Sequence, residues 1–135
     1  MHTENQQTGT DHWEHAIRNI VGREALLTDP EKLMVYECDA FTLEKKLPQA
    51  VVLPGTVDEV AEVVRICHEH QLPIIPRGAG TSLSGAVLAV DGGITICLSR
   101  MQKILEVDPE NGRALVESGC VNAWITREVE PHGLF

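Results

Sequence analysis

What this 135-residue chain lacks narrows its reading before any motif is sought. It has no cluster of lysine and arginine, and its net charge of -9 would repel a phosphate backbone, so nucleic acid is not an expected partner. Apolar runs such as Ala86 to Val90 fall far short of the roughly 20 residues that a membrane helix needs, so no integral membrane segment is expected. Met1 to Thr10 is polar and shows no basic start before an apolar stretch; it reads as a disordered tail rather than a signal peptide, with the cytoplasm as the default compartment. There is no CxxC pair. Cys38, Cys67, Cys97 and Cys120 stand 23 to 30 residues apart, which speaks against a zinc knuckle or a redox motif and predicts buried free thiols. His12 and His15 can share a helix face while His68 and His70 diverge, and no third ligand stands at a metal-binding spacing, so no metal site is expected.

What is present describes an ordinary folded domain. Hydrophobic residues make up 43% and charged residues 23%, the balance of a globular chain with one core. The tail at 1–10 is followed by an N-terminal helical segment, 11–49. Asp11 is the expected cap of a helix from His12 to Val21 with Trp13, Ile17, Ile20 and Val21 as its apolar stripe and Gly22 as its stop. A short helix is expected to begin at Asp29-Pro30.

Residues 50–135 carry sharper signals. Ala50 to Leu53 reads as a buried strand ended by Pro54-Gly55. Thr56 and Glu59 make a capping box, and Val57, Val60, Ala61, Val64 and Cys67 recur on one helical face to about His70. Leu72 to Ile75 reads as a second strand, so Ala50 to Pro76 is expected to be a strand-helix-strand unit with parallel strands and a right-handed crossover. Strands are then expected at Ile94 to Leu98, Ile104 to Val107 and Arg113 to Glu117, the last two joined through Asn111-Gly112 as a hairpin. Val121 to Glu130 has the spacing of a helix facing a core through Val121, Trp124, Ile125 and Val129. The fold class is thus α+β: a small parallel subdomain followed by a mixed or antiparallel sheet with helices.

The chemistry is expected in Pro76-Arg77-Gly78-Ala79-Gly80-Thr81-Ser82-Leu83-Ser84-Gly85, a run of small residues placed after a buried strand. Such a run lets the backbone approach a ligand closely, and its successive N–H groups can converge on an anion, with the Thr and Ser hydroxyls as further donors. Spacing excludes two phosphate motifs. GxGxxG from Gly78 would need a glycine where Leu83 stands, and a P-loop from Gly80 would need a lysine at Ala86. On composition alone, a tight connection between two sheets stands level with an anion loop.

With YECDAF before it, GTVDEVAEVVRICHEHQLPI leading into it, and GGITICLSRMQKILEVDPENGRALVESG and EPHGLF after it, PRGAGTSLSG resembles the FAD-binding segment of the glycolate oxidase FAD subunit and D-lactate dehydrogenase family. That family lies in the flavoprotein superfamily typified by vanillyl-alcohol oxidase and p-cresol methylhydroxylase. The resemblance runs from about residue 35 to 135 and implies an incomplete FAD-binding domain of the p-cresol methylhydroxylase (PCMH) type, truncated at its C-terminal side. It implies an FAD pyrophosphate wrapped by Pro76 to Ser82, with the backbones of Arg77, Gly78, Ala79, Gly80 and Thr81 as main contacts, Ser84 and Gly85 close by, and Pro54 and Gly119 near the cofactor. Thr81 occupies the position where some superfamily members tether the flavin through histidine, which implies non-covalent FAD. Asp39 and His132 fit the family pattern and are read as structural. Arg77 has two readings, a phosphate partner or a structural bond to nearby carbonyls, the second favoured. Ser118 departs from the proline usual before Gly119.

By the same resemblance the full protein would be a flavin-dependent oxidoreductase converting a small 2-hydroxy acid, glycolate or D-lactate, to the 2-oxo acid. The chain is expected to end before the isoalloxazine and substrate-capping parts, so no catalytic residue is assigned. The alternative is a non-enzymatic flavin-binding remnant, or a small subunit that completes its site with a partner chain.

Overall fold

The structure, a computed structural model, describes residues 7–135, with side chains from residue 12 onward. Residues 1–6 of the expected tail lie outside the described residues; 7–10 belong to the first helix, α1 (Gln7–Val21), which begins ahead of the expected cap at Asp11. Gly22, at φ 85, ends it as expected. Two short features follow that the sequence reading did not contain, a 3-10 turn at Arg23–Ala25 and the two-residue strand β1 (Leu26–Leu27). The expected short helix is α2 (Pro30–Leu33), where the Asp29 carboxylate accepts the Glu31 N–H at 3.0 Å.

The centre is a four-stranded sheet built from β1, β2 (Ala50–Val52), β3 (Ile74–Arg77) and β4 (Ile94–Cys97) in the order β1-β2-β4-β3. β2 and β3 both pair parallel with β4, and β1 closes the other edge antiparallel to β2. The expected parallel unit is therefore opened by one strand: β4, expected in the later mixed sheet, lies between β2 and β3. Its side chains explain this. Ile94, Thr95, Ile96 and Cys97 are all buried, as a strand covered on both faces must be.

One face of the sheet, through Ala50, Val52, Ile94 and Ile96, packs against Trp13, Ile17 and Val21 of α1 and Val63 and Cys67 of α3 (Val57–Glu69). The other, through Val51 and Cys97, packs against Leu33 with Leu27 and Tyr36 alongside. Gly93 can be nothing but glycine. Its φ is 98 and an added Cβ would overlap the Pro73 carbonyl, whose oxygen accepts the Ile94 N–H at 2.8 Å.

The buried face of α3 differs from the expected one. Val63 and Cys67 are the buried residues, with Ile66 partly covered, whereas Val57 is 71% exposed and Ala61 and Val64 also face outward. The helix is apolar on two sides, so periodicity alone does not choose between them; contact with α1 and the sheet does. The capping box also closes one residue wide. Thr56 Oγ1 accepts the Glu59 N–H at 3.2 Å, but the Glu59 carboxylate accepts the N–H of Gly55 at 2.7 Å rather than that of Thr56.

The hairpin β5 (Ile104–Asp108) and β6 (Arg113–Val116) is antiparallel, as its Asn-Gly turn predicts, and stands as a separate two-stranded sheet. α4 (Asn122–Val129) buries only Val129 of its four expected core residues; Val121 and Trp124 are each 41% exposed. Of the thiols, Cys67 and Cys97 are buried, whereas Cys38 and Cys120 are only partly covered, which corrects the expectation for those two.

Replacing Val63 by Ala should cost about 2 kcal/mol in denaturant unfolding, from lost burial and a cavity, while Val57→Ala should stay within about 0.5 kcal/mol. Equal losses would overturn the assigned face. Burial also pushes the Cys67 thiol up to about 11 from its usual value near 9. The folded state keeps that proton where the unfolded chain releases it, so this contribution is whole below pH 9 and is lost as pH rises toward 11. Cys67→Ala should therefore lose less stability than the parent protein across that interval, read by melts at stepped pH.

Candidate flavin loop

Because β2, β3 and β4 run parallel, their carboxyl ends meet at one edge of the sheet, the edge where open α/β sheets usually take ligands. There Leu53-Pro54-Gly55 leaves β2, the glycine-rich run leaves β3, and Leu98 to Met101 leaves β4. Cross-links hold the three together. Arg100 Nη1 donates to the Leu53 carbonyl at 2.8 Å, and the Leu98 N–H donates to the Arg77 carbonyl at 2.9 Å. Gly119 arrives from the hairpin, its N–H donating to the Met101 carbonyl at 2.8 Å; an added Cβ would collide with the Leu98 carbonyl oxygen. Pro54, fully buried, Gly119 and the loop are thereby brought to one edge.

Pro76 and Arg77 are the last residues of β3; the irregular loop begins at Gly78. Among the described residues, the main-chain N–H groups from Gly78 to Leu83 donate to no protein acceptor, and the first bond along the run is the Ser84 N–H to Ser82 Oγ at 3.3 Å. Gly78, Ala79, Thr81 and Ser84 are exposed, with Gly80, Ser82 and Gly85 partly so. The hydroxyls of Ser82 and Ser84 share a hydrogen bond at 2.8 Å. Six consecutive free donors in a flexible-residue turn fit a group rich in oxygen acceptors, and a pyrophosphate is such a group.

Arg77 is 9% exposed and turned back under the loop. Its Nη1 donates to the Cys38 carbonyl at 2.9 Å, and its guanidinium stands 5.4 Å from the centre of the Tyr36 ring. This is a structural bond to a carbonyl, not an arm extended to solvent. Gly80, at φ 72, exists to accommodate it, since an added Cβ would fall inside that guanidinium. Burial pushes the Tyr36 hydroxyl above its ordinary range, the neighbouring Cys97 adds to the rise, and the Arg77 charge opposes it. The Cys97 thiol in turn lies 3.6 Å from the Gly78 carbonyl oxygen and 3.5 Å from Ser99 Oγ, with its one hydrogen in reach of either acceptor.

The segment Cys38 to Phe41, given only a structural expectation for Asp39, lies along the loop: besides Cys38 with Arg77, the Ala40 N–H donates to the Ser82 carbonyl at 3.0 Å. Its pairing partners are about 40 residues away, and no local pattern signals that contact. His132 sits in an exposed 3-10 turn after α4. No group of acidic, histidine or cysteine side chains suited to a metal occurs among the described residues, and no described helix is long and apolar enough to cross a membrane.

Residues 48–135 match the profile of the FAD binding domain family. The chain is 37% identical over 117 residues to the glycolate oxidase subunit GlcD of Escherichia coli, covering 87% of this chain and 23% of that protein. It is 37% identical over 90 residues to a D-lactate dehydrogenase of Anaerostipes hadrus, covering 67% and 19%. Among solved structures, p-cresol methylhydroxylase with substrate bound superposes at a TM-score of 0.83 with 28% identity, over 96% of this chain and 26% of that one. The chain thus spans about a quarter or less of the length of these relatives.

Gly80→Ala should destabilise the protein by about 2 kcal/mol in urea unfolding, from backbone strain and displacement of Arg77. Gly78→Ala, whose added Cβ meets nothing within 4 Å, should change stability little. Similar costs at both positions would show that Arg77 does not pack as described.

Proposed function

Because the chain belongs to the FAD binding domain family across residues 48–135, we propose that its Gly78 to Gly85 loop holds the FAD pyrophosphate on main-chain N–H groups. The run of free donors from Gly78 to Leu83, at the carboxyl edge of three parallel strands, is the observation that carries this reading. Gly78, Ala79, Gly80 and Thr81 are the proposed main contacts, with Pro76, Ser82, Ser84 and Gly85 lining the loop and Pro54 and Gly119 bordering it; the backbone of Arg77, also expected as a contact, is engaged in the β3–β4 ladder. Arg77 acts from beneath, by shaping the loop, since its side chain is already bonded to Cys38. Thr81 has no nucleophilic nitrogen for a flavin link, so no tether forms at this position, which supports a cofactor held non-covalently.

The assembled protein to which this segment contributes is proposed to oxidise a small 2-hydroxy acid, glycolate or D-lactate, to the 2-oxo acid, as the names of its relatives suggest. When bound, the flavin supplies the two-electron acceptor; this chain's residues bind and orient it. No described residue is assigned a catalytic role. Productive transfer needs the substrate carbon within about 3 to 3.5 Å of the acceptor with a base in reach.

A dependence on further polypeptide is supported by the C-terminal third. The hairpin exposes Leu105 (56%) and Leu115 (57%), and a lone two-stranded ribbon is marginally stable in water. Either a longer chain or a partner subunit would cover it. Four unpaired thiols suit a reducing compartment such as the cytoplasm.

Equilibrium dialysis of residues 1–135 against FAD should show binding, and acid precipitation should leave the flavin in the supernatant. Glycolate or D-lactate should not be oxidised by this chain alone. Flavin that stays with the precipitate would overturn the non-covalent reading, and no FAD binding at all would overturn the site.

A further inference from the structure

Asp39 is the buried charged residue that the fold leaves half-used. It is 5% exposed, and one carboxylate oxygen, Oδ1, accepts the Phe41 N–H at 2.9 Å. The other, Oδ2, is buried with no hydrogen-bond partner among the described residues. A buried carboxylate oxygen without a donor has lost its water and gained no bond in exchange. Its neighbours explain why it stays in place. On one side the Cys38 carbonyl accepts from Arg77 at the end of β3, and on the other the Ala40 N–H donates to the Ser82 carbonyl midway along the proposed phosphate loop, so Asp39 sits in a segment bonded to the loop's start and to its middle.

Resting on the FAD reading above, we infer that Asp39 is a further cofactor-site residue, whose Oδ2 accepts a hydrogen bond from a sugar hydroxyl of the dinucleotide. A carboxylate only accepts, and it repels phosphate, so its partner beside a bound pyrophosphate must be a donor. The groups that flank the pyrophosphate of FAD on either side, ribityl and ribose, are both polyhydroxylated. Asp39 is a positioning residue for the bound cofactor; the loop supplies the anion site, and the carboxylate distinguishes a dinucleotide from a bare diphosphate.

The test compares FAD and inorganic pyrophosphate binding to the 135-residue chain and to its Asp39→Asn variant, together with the ligand-free melting temperature of each. Asparagine keeps an oxygen for the Phe41 N–H and removes the charge. The expected result is FAD affinity about tenfold weaker in the variant, the scale of a charge-assisted bond reduced to a neutral one. Pyrophosphate affinity and ligand-free melting should stay close to the parent's. Unchanged FAD affinity would overturn this inference and leave the loop reading intact. Equal loss of FAD and pyrophosphate, with a lower melting temperature, would make Asp39 purely structural and also overturn it. If the parent chain binds neither ligand, the loop reading fails and takes this inference with it.

Discussion

Six successive peptide N–H groups, Gly78 to Leu83, find no acceptor within the described protein, and much of the structure serves to keep them so. Peptide donors are almost always paired, with protein, water or ligand. A flexible glycine-rich loop left alone would fold onto itself and close that account. Here it is held at two points: at the start by the β3–β4 ladder and the Leu98 bond to Arg77, and midway by Ala40 on Ser82. Arg77 occupies the space beneath Gly80 that the loop would otherwise collapse into.

That framework is unevenly built. Helices α1 and α3 cover one face of the four-stranded sheet, and α2 with Tyr36 covers the other, so β2 and β4 are buried on both sides. Beyond Met101 the character changes. β5 and β6 pair only with each other, and α4 contributes a single buried residue. Gly119 is the joint between the two parts, held by its N–H to Met101 and by the absence of a side chain over Leu98. The edge from which the loop leaves is thus fixed by the well-packed side alone, and the glycolate oxidase subunits that the chain resembles are about four times its length.

Several features were legible from local pattern alone. The Thr56 cap, the Asp108 to Gly112 turn, the cap at Asp29 and the strand before PRGAGTSLSG all depend on residues within a few positions of one another, and all appear within one or two residues of their expected places. What failed was orientation. α3 carries apolar residues on two faces, so its sequence does not say whether Val57 or Val63 is inside. Nor can an apolar run such as Ile94 to Cys97 announce that it inserts between two earlier strands, because that choice is made by strands contributed from elsewhere in the chain.

For the proposed site, the sequence by itself singled out the candidate segment, since no other stretch of the chain combines a run of small residues with a preceding buried strand, while its composition fits a structural turn as well as an anion loop. Tertiary structure decided what surrounds it. Pro54 and Gly119 lie far apart along the chain and come to the loop's edge of the sheet through strand order, and the segment that carries Asp39 is tied to the loop by hydrogen bonds of Cys38 and Ala40 spanning about 40 residues. It also settled Arg77, whose charge sequence alone could assign to a phosphate or to a carbonyl. Conformational freedom is a property of each residue and can be read one position at a time, whereas a hydrogen-bond partner exists only once the chain has closed on itself.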